Sequence, residues 1–132
     1  MLESLDVSVS ALVAQRTRID TVAGNIANAF TTRDAEGRPE PYRRRFAIFA
    51  EGDGRGRPGV HVASVEQDRA PPRLVYRPGH PDAGAEGYVK YPNVELSTEM
   101  VNALEAARAY EANITALQVT KSMLSSALRL LA

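Results

Sequence analysis

The chain has 132 residues with 16 basic and 16 acidic side chains, so its formal net charge is zero. A chain this long makes one domain or a small body with extended arms, and without net charge it carries no global field to hold nucleic acid or anionic lipid. Cysteine is absent, which excludes disulfides, thiolate zinc sites and thiol nucleophiles.

The punctuation residues divide the sequence. All eight prolines fall between Pro39 and Pro92, and eight of the nine glycines lie between Gly37 and Gly87. Glycine and proline inside a helix cost roughly 1 and 3 kcal/mol, so both ends are free to form long helices and the middle is not. The expected units are residues 1–30, 31–95 and 96–132.

In the first unit Leu2, Leu5, Val9, Leu12, Arg16, Ile19, Ala23 and Ile26 recur at steps of three and four. That is the spacing of a coiled-coil seam, with only Arg16 breaking it. Asn25, Asn28 and Thr31–Thr32 suit the exit of this helix. Asn25 and Asn28 are expected either to cap it or to fix its end against a neighbour by side-chain hydrogen bonds.

The middle unit reads as a small set of short strands. Tyr42, Phe46, Ile48 and Ala50 alternate along one candidate strand, and residues 60–65, 73–76 and 87–91 are three more. Gly54-Arg55-Gly56-Arg57-Pro58-Gly59 matches G-x-G-x-x-G, but a strand follows it where a phosphate site needs a helix N-terminus. A flexible hairpin tip is the expectation. His61 and His80 lack metal-ligand spacing, and no residue set outlines a catalytic pocket. The expectation is therefore no enzyme, no cofactor and no metal. Arg43–Arg45 is too small a basic patch for nucleic acid.

The last unit carries the fuller seam: Met100, Ala103, Ala107, Tyr110, Ile114, Leu117, Lys121, Leu124, Leu128 and Leu131. Ser97 is the expected N-cap, and Glu99 suits the positive end of the helix dipole. The middle must turn the chain around, so the two helices are expected to pack antiparallel. The fold class is then mainly α with a small β part, a coiled-coil-like pair of terminal helices joined by a Gly/Pro-rich segment of short strands. Two helices bury one stripe each, which leaves Val13, Val22, Val101, Leu104 and Val119 for something outside the chain to cover.

Two stretches carry a resemblance. Asn25-Ile26-Ala27-Asn28-Ala29-Phe30-Thr31 has the N-x-A-N-x-x-T form that ends the first helix of bacterial flagellar axial proteins. Gly87-Tyr88-Val89-Lys90-Tyr91-Pro92-Asn93-Val94-Glu95, with Glu99-Met100, Ala107–Asn113 and Lys121-Ser122-Met123, is similar to the C-terminal half of that signature, in its proximal-rod form. Gly24 departs from the pattern, where members more often carry a larger polar residue. The resemblance covers nearly the whole chain and implies a structural subunit of the flagellar basal-body rod, crossing the periplasm. It implies export through the flagellar type III apparatus without a cleaved signal peptide, and an inner α domain of terminal helices around the export channel. The implied partners are further copies, other rod proteins, and ring or adaptor components of the basal body. Neither nucleic acid nor membrane insertion is expected. The expected assembly interface comprises Leu5, Val9, Leu12, Ile19, Asn25, Ile26, Asn28, Met100, Tyr110, Ile114, Leu117, Leu124 and Leu128. The alternatives are another flagellar axial subunit, or a soluble helical adaptor or export chaperone.

Overall fold

A computed structural model describes residues 2–131. Helix α1 runs Leu2–Ala27 and helix α2 runs Leu96–Leu131, with four strands between them: β1 Arg45–Glu51, β2 Val60–Gln67, β3 Arg73–Tyr76 and β4 Tyr88–Tyr91. The helices take 26 and 36 residues, and the proline-rich middle forms two separate antiparallel hairpins, β1–β2 and β3–β4.

The helices pack against each other along their length. Asn25 bonds Glu99 and Arg18 bonds Glu105, so the chain descends one helix as it ascends the other. From Asn25 back to Leu2 α1 covers ~35 Å, and from Glu99 to Leu131 α2 covers ~48 Å at 1.5 Å per residue. The last ~13 Å of α2 therefore overhangs, and Met123, Leu128, Leu130 and Leu131 on it are exposed.

The middle of the expected α2 seam faces the chain: Ala103, Ala107, Tyr110, Ile114, Leu117 and Leu124 are half-buried, while Met100, Lys121 and Leu128 face out. The fully buried positions of this helix among the described residues, Glu99 and Ala106, lie beside that seam. Small residues mark the closest approach. Ala14 and Ala106 are the buried apolar residues of the pair besides Val22, and alanine lets two helix backbones approach more closely than leucine does.

The strands 73–76 and 88–91 match expectation closely, β2 runs two residues past residues 60–65, and β1 begins three residues later than the expected start at Tyr42 and ends one residue past Ala50. In β1 the expected alternation fails. A bulge between Ile48 and Phe49 shifts the register from Ile48↔Ser64 to Phe49↔Val62, and one extra residue rotates the strand beyond it. Phe46 and Phe49 consequently line one cleft with Val22 of α1. Val22 is thus covered by this hairpin and buried, contrary to the expectation that it lacked a partner in the chain. The Gly54–Gly59 stretch is a hairpin tip, closed by Gly52 N–H to the Gly59 carbonyl and by Asp53, whose carboxylate takes the Arg55 and Arg57 amides and the Arg57 guanidinium.

The apolar core sits where β4 runs into α2. Val89, Tyr91, Pro92 and Val94 are buried while Lys90, Asn93 and Glu95 face out, a period of two along the strand that changes phase where the strand ends, at Tyr91 and Pro92. Gly87 precedes this run at a φ of 83°, and a Cβ there would stand 2.8 Å from the Tyr76 ring, so the turn needs glycine. Val94→Ala should cost about 2 kcal/mol through the cavity it leaves. Val101→Ala, at an exposed position, should stay within about 0.5 kcal/mol. Urea unfolding of both variants checks the contrast.

Candidate functional site: a buried polar joint between apolar helix flanks

Three segments meet at one polar cluster. Asn25 and Glu99 are both 0% exposed. The Asn25 amide donates to the Arg45 carbonyl at 2.7 Å and to a Glu99 carboxylate oxygen at 3.0 Å. Its oxygen accepts the Arg45 N–H at 2.8 Å and the Tyr42 hydroxyl at 3.1 Å. Both donor hydrogens and both lone pairs are therefore used. The other Glu99 oxygen takes the Arg44 guanidinium at 2.5 Å, and Arg44 also lies 3.9 Å from Asp68. The end of α1, the start of β1 and the first turn of α2 are thus tied through a carboxylate that meets no solvent.

Burying a carboxylate costs several kcal/mol unless it is paired and hydrogen-bonded, and Glu99 meets both conditions. Burial raises the Tyr42 hydroxyl above its ordinary value, the Arg45 charge opposes that rise, and Glu99 adds to it. Arg45 stacks over the Tyr42 ring at 5.8 Å. Of the expected arginine cluster, Arg44 is spent on the joint and Arg43 faces solvent.

Asn28 plays the capping role. Its side chain donates to the Gly24 carbonyl at 2.9 Å and accepts the Thr31 hydroxyl at 3.1 Å. A Cβ on Gly24 would lie 3.8 Å from the Tyr42 hydroxyl, an ordinary contact, so the site has room for a Cβ and does not need glycine. Ser97 does not cap α2. It lies within the first turn, and its hydroxyl donates to the carboxylate of Glu95, the residue before the helix.

A second tie fastens the long 77–87 loop to the chain leaving α1. Asp82 accepts the Arg33 guanidinium at 2.7 Å and the Thr32 hydroxyl at 2.7 Å. The Arg33 and Thr32 hydrogen bonds hold the Asp82 carboxyl below its usual 3.8. A carboxylate depressed in the folded state stabilises it above the unfolded pKa, and that stabilisation disappears as pH falls through the lower folded value.

The expected interface residues divide by exposure. Val9, Met100 and Leu128 are exposed; Leu5, Leu12, Ile19, Ile26, Asn28, Tyr110, Ile114, Leu117 and Leu124 are half-buried; Asn25 is fully buried. Val13 is 64% exposed, and Val101, Leu104 and Val119 are each over half exposed. Both helices thus keep apolar side chains on flanks that the chain itself leaves open. Glu99 and Arg44 were missed by pattern reading. The signal was present in one respect: Glu99 stands on the three-and-four spacing of Ala103, Ala106 and Tyr110, where a charge is out of place.

Among the described residues no group of three or more His, Cys, Asp or Glu side chains could hold a metal, and no helix is long and apolar enough to cross a membrane.

Residues 5–33 match the family model described as flagella basal body rod protein, and residues 85–130 match that described as flagellar basal body rod FlgEFG protein C-terminal. The flagellar basal-body rod protein FlgC of Salmonella typhimurium is 45% identical over 134 residues, covering 98% of this chain and 97% of the relative. FlgC of Borreliella burgdorferi is 42% identical over 99% of the chain and 97% of its own length. FlgC of Bacillus subtilis is 43% identical over 96% and 95%. Both matched family segments contain part of the joint, Asn25 in the first and Glu99 in the second.

Glu99→Ala should cost about 3 kcal/mol, because the buried Asn25 amide and the half-buried Arg44 guanidinium lose their partner. Glu99→Gln should cost less, since the amide still accepts one hydrogen bond; thermal unfolding of the two variants compares them. Asp82→Asn should remove part of the stability lost on acidification below pH 4, which urea titrations at pH 7 and pH 3 would measure.

Proposed function

The chain belongs to the FlgC family of flagellar basal-body rod proteins, and we propose that it joins the rod through the open flanks of α1 and α2. As a family member it is a structural subunit of the basal-body rod. In the proposed arrangement residues 1–30 and 96–132 form the inner α layer around the export channel, and residues 31–95 face outward. Its neighbours are further copies of the chain, other rod proteins, and ring or adaptor components of the basal body. The chain reaches the rod through the flagellar type III apparatus.

The observation that carries this reading is the pair of half-satisfied helices. Val9, Val13, Met100, Val101, Leu104, Val119 and Met123 are exposed on elements whose other side is already packed. Moving such a side chain fully out of water contributes roughly 1.5–3 kcal/mol, less the cost of ordering the partners. A soluble adaptor of this size would have little reason to keep so many on its surface. Among the interface residues, Asn25 acts indirectly in this scheme, since its side chain is spent inside the chain and only shapes the surface around it.

Deletion of the gene in its own host should abolish swimming and stop basal bodies before a complete rod, as seen by electron microscopy of isolated structures. Leu104→Asp, on the exposed flank, should give a soluble chain that is not incorporated. Intact rods built from that variant would remove the helix flanks from the account, and intact rods after deletion, with no second gene copy present, would overturn the assignment.

A further inference from the structure

The β1–β2 hairpin lies along α1 and is fastened to it very differently at its two ends. At the root, Arg45 exchanges two backbone hydrogen bonds with the Asn25 side chain, at 2.8 and 2.7 Å, inside the solvent-free joint. At the tip, the Val60 N–H reaches the Ser10 hydroxyl at 3.1 Å. The only charged tie there among the described residues is Arg57 to Asp6 at 3.5 Å, with both side chains about 60% exposed (59% and 63%). Exposed pairs of this kind contribute little. Between tip and helix an open cleft of about 410 Å³ separates Val13, Ala14 and Thr17 from Val60 and Val62. The bulge at Ile48/Phe49 interrupts the ladder between the two ends, and a bulge is where a hairpin bends most easily.

We propose that residues 49–62 are a hinged flap, rooted at the Asn25 joint and flexing at the bulge, that must lift from α1 before the subunit is incorporated. While closed, the flap lies over Ser10, Ala14 and Thr17 of α1 and leaves Val13 open. Lifting it uncovers Ala14 and Thr17 together with Val60 and Val62 on its own underside, without disturbing the root. The low free energy of opening follows from how few ties hold the tip, the part-buried Ser10–Val60 hydrogen bond and the exposed Arg57–Asp6 pair. The requirement for lifting rests on the rod assignment; the hinge itself does not.

Two amides, each bonded to a side-chain oxygen of α1, report root and tip separately. In hydrogen exchange on the purified full chain, the protection factor of Val60 should be at least tenfold lower than that of Arg45. Equal protection would overturn the hinge. The chain contains no cysteine, so Ser10→Cys with Val60→Cys places the only two thiols where a disulfide would lock the tip down. In the host, cells carrying the pair should swim with a thiol reductant and fail without it, while each single-cysteine variant swims in both. Disulfide-locked chains recovered from basal bodies at the parent's level would overturn the need for lifting. If the parent chain is itself absent from basal bodies, the rod assignment fails while the exchange result still decides the hinge.

Discussion

A carboxylate with no access to water must find its hydrogen bonds inside the protein, and Glu99 finds them on two other segments. One oxygen needs the Asn25 amide at the end of α1 and the other needs the Arg44 guanidinium just before β1. Neither bond forms unless α1, the hairpin root and α2 are all in place. The penalty for an unpaired buried charge therefore couples the hairpin root to two helices that already pack on each other. Among the described residues the strand backbones keep away from α2, and those of β3 and β4 from both helices. A local sequence choice, one glutamate in a helical first turn, thereby becomes a condition on the tertiary arrangement.

That coupling matters because the apolar core is so small. Among the described residues seven hydrophobic side chains are buried, three of them alanine, and a small domain has little surplus stability. Larger apolar residues stand on the outside of both helices. In the helices the distribution is inverted relative to a self-contained domain: Ala14 and Ala106 lie inside with Val22, while several valines, leucines and methionines lie outside. Packing between subunits is where such a chain gains what its own interior lacks, and a polar joint holds the elements in order until then.

Much of the architecture was legible in the sequence. Confinement of proline and glycine to the middle fixes where helices are allowed, and the three-and-four spacing does the rest for α1 and α2. The short strands were legible because glycine and proline bracket them. The ends of the α2 seam were not. Met100 and Leu128 outrank Ala106 in hydrophobicity, yet close approach of two helices selects the small residue, and this depends on the partner surface. Val22 was missed for a related reason, since what covers it is a hairpin that a bulge turns by one residue. The joint was only half visible. Asn25 stood out through its motif, while Glu99 had a sufficient local explanation in the helix dipole and Arg44 one in a solvated basic cluster. Nothing in the linear order brings residues 25, 44 and 99 together, because their meeting is a product of the fold.

The most direct measurement is electron cryomicroscopy of basal bodies isolated from the native host, at a resolution that traces side chains in the rod. The account predicts this chain in the rod wall, with Glu99, Asn25 and Arg44 bonded within one subunit and the Val101, Leu104 and Val119 flank of α2 buried against a neighbouring helix. A subunit found outside the rod, or one whose α2 flank faces solvent while its neighbours dock elsewhere, would contradict it.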